Sequence, residues 1–302
     1  MNGLLLALVL LPVLGGSVPI QPAPISSSVW TAPGMLPAPV GVEGDLEVSR
    51  GQVPPLQVTY VANEGFLIAV GDAKVLIDAL HENPWGYTNT PEEVRSMMAG
   101  GIPPFDGVDL FIASHPHADH FTPSLVHSYL KSRQGVAFVG SEATVGMLRD
   151  STGVTFGEIK EQVREVTPEW GETVGLEFPD GIQARFLTLN HQTHDRDPSL
   201  TLGSLVTLQG RTVLHLADLF PGTSVPLLEK YDWSDAEVDV LFADPYFVTS
   251  EEGRRLIVEV IRPAHLVMMH LRPQDWAEYE EEVRAFWPQV VIFEEPLETR
   301  AF

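Results

Sequence analysis

Four residues able to hold a metal ion fall within six positions, in His115-Pro116-His117-Ala118-Asp119-His120. The run follows Asp109-Leu110-Phe111-Ile112-Ala113-Ser114, a short apolar stretch that reads as a buried strand. Thr122-Pro123 behind it reads as a helix N-cap with proline at the first helical position. The motif therefore belongs on a strand-to-helix turn at the edge of a sheet. In extended chain, residues two apart point the same way, so His115 and His117 can grip one ion. Asp119 and His120 lie past the bend and can face a second ion nearby. Neutral imidazoles and carboxylates of this kind make open metal sites with room for water.

Other metal-type residues recur at strand ends, where sheet proteins keep their sites. His191 follows the strand-like run Ala184 to Leu189. Asp218 closes His215-Leu216-Ala217-Asp218, and His270 follows His265 to Met269. His194 competes with His191, but His191 is nearer the strand end. His215 sits within a strand and reads as a packed histidine or one that orients a ligand. His265 and His127 read as structural. His81 follows Asp78 in a loop with Trp85 and Tyr87, and is expected to line a pocket. Tyr246, in Asp244-Pro245-Tyr246-Phe247, is expected in the pocket wall. Arg272, two residues after His270, is expected to help hold a substrate carboxylate or phosphate.

The elements that must position these groups are hairpins and βα units in two runs. Leu56 to Ala62, Phe66 to Val70 and Lys74 to Ile77 read as strands, with Glu64-Gly65 and Gly71-Asp72 as turns. Thr90-Pro91-Glu92-Glu93 has capping-box spacing and opens a helix, and Ser141-Glu142 opens another. Strands are expected at Ala184 to Leu189, Ser204 to Leu208, Thr212 to Leu216, Val238 to Phe242, His265 to Met269 and Val290 to Phe293. Helices are expected at Gly253 to Ile261 and Pro273 to Trp287. That order suggests two packed mixed sheets with helices outside.

Composition narrows the chemistry. The chain has 302 residues, no cysteine and a formal charge of −23. Thiol catalysis, disulfides and Cys-based zinc sites are excluded. A His and carboxylate site suits zinc, manganese or iron. The acidic surface makes nucleic acid and anionic membrane poor partners and leaves small molecules as the expected substrates. The apolar run from Leu4 to Leu14, followed by Gly15-Gly16-Ser17, resembles a secretory signal peptide and implies export, periplasmic or extracellular. With residues 1–17 removed, no stable membrane insertion is expected. Residues 18–54 form a Pro-rich linker or strap, and 55–302 form the globular domain. The oligomeric state has no signature in the sequence.

The ordered set His115-x-His117-x-Asp119-His120, His191, Asp218 and His270 resembles the metallo-β-lactamase superfamily. Thr59 to Ile68 followed by Val75 to Asp78 resembles that family's first hairpin, and Val213 to Asp218 resembles a later segment, where the family more often has Gly before the aspartate. The resemblance implies an α+β fold, a four-layer αββα sandwich of two mixed β-sheets, with a two-metal site at one edge. It implies that His115, His117 and His191 hold one ion, that Asp119, His120 and His270 hold the other, and that Asp218 bridges them. Zinc is the first expectation for both ions.

The implied activity is hydrolysis of a small ester, lactone, amide or phosphoester. Two ions lower the pKa of a shared water toward ~7, and its hydroxide attacks the substrate while Asp119 orients it. The run Leu189-Asn190-His191-Gln192-Thr193-His194 departs from the Gly-His-Thr-x-Gly-like run of members acting on thioesters and acyl lactones. It is more similar to the sugar-phosphate lactonase branch. The rival readings are a metal-binding protein without catalysis, a nuclease of the superfamily and a di-iron redox member.

Overall fold

The central strands of this chain are apolar on both faces, and that determines how many layers are needed to cover them. In Phe66-Leu67-Ile68, Phe66 and Ile68 belong to one buried cluster and Leu67 to another. Successive side chains of a strand point to opposite faces, so such a sheet must be covered on both sides. The computed structural model describes residues 53–191 and 201–302. The expected signal peptide, nearly all of the Pro-rich linker, and His194 lie outside the described residues.

The first sheet holds β1 (Leu56–Ala62), β2 (Gly65–Val70), β3 (Ala73–Ile77), β4 (Leu110–Ala113), β5 (Ala137–Gly140) and β6 (Val163–Glu165), in that spatial order. The second holds β7 (Thr173–Glu177), β8 (Gln183–Leu189), β9 (Thr201–Leu208), β10 (Arg211–His215), β11 (Val240–Ala243) and β12 (His265–Met268), also in chain order. Strand β13 (Thr299–Ala301) returns to pair antiparallel with β1. Both sheets are mixed: β3 to β6 run parallel in the first and β10 to β12 in the second.

Three apolar clusters divide the layers. The one between the sheets joins Val58, Phe66, Ile68 and Ile112 to Phe186, Val206, Val213 and Phe242. A second packs Leu67, Leu76 and Phe111 under α1 (Glu92–Gly100), α2 (Pro123–Ser132) and α3 (Glu142–Thr152). A third packs Leu187, Leu214 and Leu241 under α4 (Pro221–Leu228), α5 (Pro245–Thr249), α6 (Glu251–Leu256) and α7 (Trp276–Phe286). The result is the four-layer αββα sandwich. No helix among the described residues is long and apolar enough to cross a membrane.

Several local expectations are corrected. Val290 to Phe293 is no strand: Val291 makes a single bridge to Val267, while Phe293 turns into the inter-sheet cluster and stacks near Tyr60. The segment Gly253 to Ile261 begins within α6 and ends in a π-helical turn, Ile257–Ile261. Ser141, by contrast, caps α3 as expected, accepting from the Thr144 amide at 3.2 Å. The Thr90 capping box does not form. Thr90 Oγ1 instead donates to Ala79 O at 2.9 Å and accepts from the His81 amide at 3.1 Å. Likewise Thr122 Oγ1 accepts from the Glu82 amide at 2.8 Å rather than from α2, although Pro123 does open that helix. Both threonines pin the loop that follows β3.

Candidate metal centre

β4 ends at Ala113, and Ser114 and His115 continue its direction with no exposed surface. The chain then turns, with the amides of His120 and Phe121 donating to His117 O. Asn63 Nδ2 donates to Asp119 O at 3.0 Å, which ties this turn to the hairpin between β1 and β2. From the second sheet, His191 follows the end of β8. Its predecessor Asn190 is pinned by Ser224: the Asn190 amide donates to Ser224 Oγ, and Ser224 Oγ donates to Asn190 O, each at 3.0 Å. Asp218 and His270 follow β10 and β12. The site thus lies where both sheets end.

Two groups of donors result. His115 Nε2 and His191 Nε2 each lie 3.1 Å from His117 Nδ1. Three nitrogens around a tetrahedral ion with bonds of ~2.05 Å would lie roughly 3.3 Å apart, so this triangle has the size of a metal site. Second, one donor atom each from Glu64, His120, Asp218 and His270 lie within 4.8 Å of one another. Asp218 stands between the groups. Its Oδ2 is 3.2 Å from His191 Nε2 and 3.4 Å from His120 Nε2, while Oδ1 is 3.3 Å from His270 Nδ1. Asp119 Oδ2 stands 3.2 Å from His270 Nε2 and 3.6 Å from His120 Nε2.

The histidines are held from behind. Asp78, fully buried, accepts from the Ser114 amide at 2.7 Å and from Ser114 Oγ at 2.6 Å. Because Ser114 spends its proton on Asp78, its oxygen accepts from His115 Nδ1 at 3.0 Å, which leaves His115 Nε2 as a lone-pair donor. His120 Nδ1 lies 3.0 Å from Asp78 Oδ2, so its Nε2 is likewise turned to the site. Carboxylate-backed imidazoles of this kind fix tautomer and ring orientation for a metal.

The electrostatics fit the same account. Burial pushes the His115 imidazole well down, with the His120 charge adding to it, so His115 is neutral. Burial acts on His120 in the same sense, but Asp218, Glu64 and Asp119 outweigh it and push the imidazole well up. For Asp218, burial opposes ionisation and the charges of His270 and His120 overcome it. Asp119 is similar: burial is outweighed by the neighbouring His120 and His270 imidazoles, which hold it well below the usual carboxylate range. Glu64 goes the other way, pushed well up by burial and then by Asp218. Glu64 Oε1 and Oε2, His120 Nε2 and Asp218 Oδ1 are buried without a hydrogen-bond partner. Native interiors rarely leave such groups unpaired, and here they converge on one space, so the residues fit bound cations.

The structure brings together all seven expected donors: His115, His117, Asp119, His120, His191, Asp218 and His270. It adds Glu64, which the sequence offered only as a turn residue, and it places Asp78, which the sequence puts at a strand end as a support or turn residue, behind the histidines as their support. Of the expected pocket residues, His81 is fully buried with Nε2 3.3 Å from Ala62 O, so it faces the hairpin backbone rather than an open wall. Its loop reaches the site through Tyr87, whose ring stacks on His270 at 4.4 Å and 14°. Arg272 lies over the Tyr87 ring of that stack, 5.9 Å from its centre, and its Nε donates to Asp275. Tyr246 is exposed, with its ring edge-on to Tyr279 at 6.1 Å.

The family model described as "Beta-lactamase superfamily domain" matches residues 73–292. No curated protein matches the chain. Among solved structures, Igni18, a metallo hydrolase from Ignicoccus hospitalis, is 19% identical with a TM-score of 0.54, covering 82% of this chain and 98% of its own. A possible metal-dependent hydrolase from Veillonella parvula is 16% identical with a TM-score of 0.57, covering 82% of this chain and 100% of its own. CmlA, a diiron beta-hydroxylase from Streptomyces venezuelae, is 15% identical with a TM-score of 0.52, covering 83% of this chain but only 54% of its own. At these identities the likenesses concern the fold.

Proposed function

The chain belongs to the beta-lactamase superfamily, and from that premise we propose that it is an exported metal-dependent hydrolase of a small ester, lactone, amide or phosphoester. The observation that carries this reading is the convergence of His115 Nε2, His117 Nδ1 and His191 Nε2 beside the second group of Glu64, His120, Asp218 and His270. Two divalent ions, zinc first, with manganese or iron compatible with the same donors, would sit there. When bound, they supply Lewis acidity and lower the pKa of water they hold.

The protein's own residues do the rest. His115, His117 and His191 would hold one ion; Asp119, His120 and His270 the other, with Asp218 shared. Asp119, ionised and held by His270 at 3.2 Å, accepts a proton from the attacking water and returns it to the leaving group. Asp78 keeps His115 and His120 in the donor tautomer. Tyr87 covers His270 and shields it from solvent.

A charge of −23 favours small neutral or singly anionic substrates over nucleic acid. Export is supported by the apolar run Leu4 to Leu14 and the small residues after it; the intact mass of exported protein, expected to start near Val18, tests it. Metal analysis of the purified protein, followed by chromogenic esters, lactones, phosphoesters and β-lactams, tests the activity. Bound metal with no turnover across the panel favours a non-catalytic metal-binding protein instead.

A further inference from the structure

We propose that the Tyr87 hydroxyl is a catalytic hydrogen-bond donor, aimed at the substrate oxygen on which negative charge develops during hydrolysis. This rests on the reading of the site as a hydrolytic two-ion centre. It gives the hydroxyl a part separate from the ring's cover of His270.

The loop that follows β3 is built to hold this residue still. Asn83 and Asn89 close it across its base. Asn89 Oδ1 accepts from the Asn83 amide and from Asn83 Nδ2, each at 2.7 Å, and Asn89 Nδ2 donates to Asn83 O at 3.3 Å. Within the loop, Asn83 Oδ1 accepts from the Trp85 amide at 3.0 Å, and Asn83 Nδ2 also donates to Tyr87 O at 3.3 Å. Gly86, at φ 90°, makes a left-handed bend that an L-residue would strain. The backbone is thus fixed on both sides of Tyr87.

The ring is fixed as well. It stacks on His270 at 4.4 Å and 14°, and Arg272, itself tied to Asp275, lies 5.9 Å from its centre. His270 reaches Asp119 Oδ2 through Nε2 at 3.2 Å and Asp218 Oδ1 through Nδ1 at 3.3 Å. A ring lying flat on that imidazole stands beside the same two carboxylates. The electrostatics agree with this placement. Burial pushes the Tyr87 phenol well up, and the charges of Asp218 and Asp119 add to it, so the hydroxyl edge lies toward the centre.

The hydroxyl is spare. Among the described residues it donates to no acceptor, whereas the loop's other polar side chains, Asn83, Asn89 and Thr90, are engaged in holding the loop. Tyr87 is half-buried, so a substrate at the centre can reach it. A phenol is a weak acid and keeps its proton at neutral pH, which makes it a donor. The proton for the leaving group comes from Asp119 instead. Through the reaction the Tyr87 proton stays on its own oxygen, and no covalent bond to the tyrosine forms or breaks. A donor fixed in advance where charge develops lowers the barrier, because nothing has to reorganise at the moment of attack.

The test compares full-length wild type with Tyr87→Phe, which keeps the ring and its stack, both loaded with Zn2+. Bound metal per chain should be equal in the two. Turnover is read with 4-nitrophenyl acetate and phenyl acetate, or with a matching pair of whichever substrate class the protein hydrolyses. In Tyr87→Phe, kcat should fall about 10- to 100-fold and KM stay within about threefold. The loss should be the same for both substrates, because the hydroxyl serves the carbonyl oxygen and not the leaving group. A kcat within about twofold of wild type overturns the proposal. So does loss of an ion from Tyr87→Phe, which would make the hydroxyl a ligand. A loss several-fold larger with phenyl acetate, the poorer leaving group, also overturns it, by moving the hydroxyl to the leaving oxygen. Metal-loaded wild type that hydrolyses nothing in the panel sinks the hydrolase reading, a distinct result. Calorimetry with inorganic phosphate, a tetrahedral oxyanion, then tests the hydroxyl alone. Wild type should bind phosphate about tenfold tighter than Tyr87→Phe, and equal binding, or none by either, overturns the proposal.

Discussion

Ser114 Oγ joins Asp78 to His115: it donates to Asp78 Oδ2 at 2.6 Å and receives His115 Nδ1 at 3.0 Å. With His120 Nδ1 also 3.0 Å from Asp78 Oδ2, one carboxylate orients an imidazole of each metal position. Asp78→Asn puts an amide N–H against donors and breaks both links. Metal affinity should fall by about 10–100-fold at both positions, since outer partners of metal-binding histidines have effects of that size. Competition with a chromophoric chelator measures it. Affinities within about threefold of wild type would show that the histidines hold their orientation without Asp78.

Tyr87 tests whether His270 needs its cover. The stacked ring lies at 4.4 Å, and an aromatic pair contributes about 0.5–1.5 kcal/mol beyond its burial. Tyr87→Ala should therefore weaken metal at the second position roughly three- to tenfold, while Tyr87→Phe, which keeps the ring, should stay within about twofold. Arg272→Ala, one ring further out and paired with Asp275, should matter less than Tyr87→Ala. Equal losses in Tyr87→Phe and Tyr87→Ala would point to the hydroxyl instead of the stack.

The seven donors were legible because their types are rare and each stands where an apolar strand ends. Glu64 was not, because a glutamate in a two-residue turn looks like any solvated turn residue. Only the packing of the β1–β2 hairpin against the end of β4 buries it. The strands fared by the same rule. β4 and β8 announce themselves by apolar runs. β13 is exposed along its whole length, and Val163–Glu165 is a polar edge, so neither carries a periodic signal. Val290 to Phe293 is apolar for packing, with Phe293 inserted between the sheets. The two threonines read as caps have the right spacing, but their hydroxyls meet loop backbone first.

Ala217 occupies φ 50°, a left-handed conformation at the turn that delivers Asp218. That is the position where the resembling family more often carries glycine, and the reason is steric: an L-residue there costs about 1–2 kcal/mol. Ala217→Gly relieves this but frees the unfolded chain by roughly 0.5–1 kcal/mol. The balance predicts a gain of about 0.5–1 kcal/mol with metal content unchanged, read from urea unfolding. A loss of more than ~1 kcal/mol would mean that the Ala217 methyl, fully buried, packs better than its backbone strains.

Asp244 gives the pH prediction. It caps α5 by accepting from the Phe247 amide at 2.8 Å, yet its Oδ2 is buried without a partner. Burial, aided by Asp218, pushes its pKa up to about 7. An acid whose folded pKa lies above its unfolded value of ~3.9 gains affinity for its proton on folding. It costs nothing at pH below ~4, destabilises increasingly as pH rises through about 7, and adds no further cost above that. Asparagine keeps the cap and never ionises. In metal-stripped protein, Asp244→Asn should therefore match wild-type Tm near pH 4 and exceed it by several degrees near pH 8, with most of the difference developing between. Thermal melts at several pH values in chelator measure this. A difference that is flat across that range would show that the buried oxygen is solvated in the folded protein.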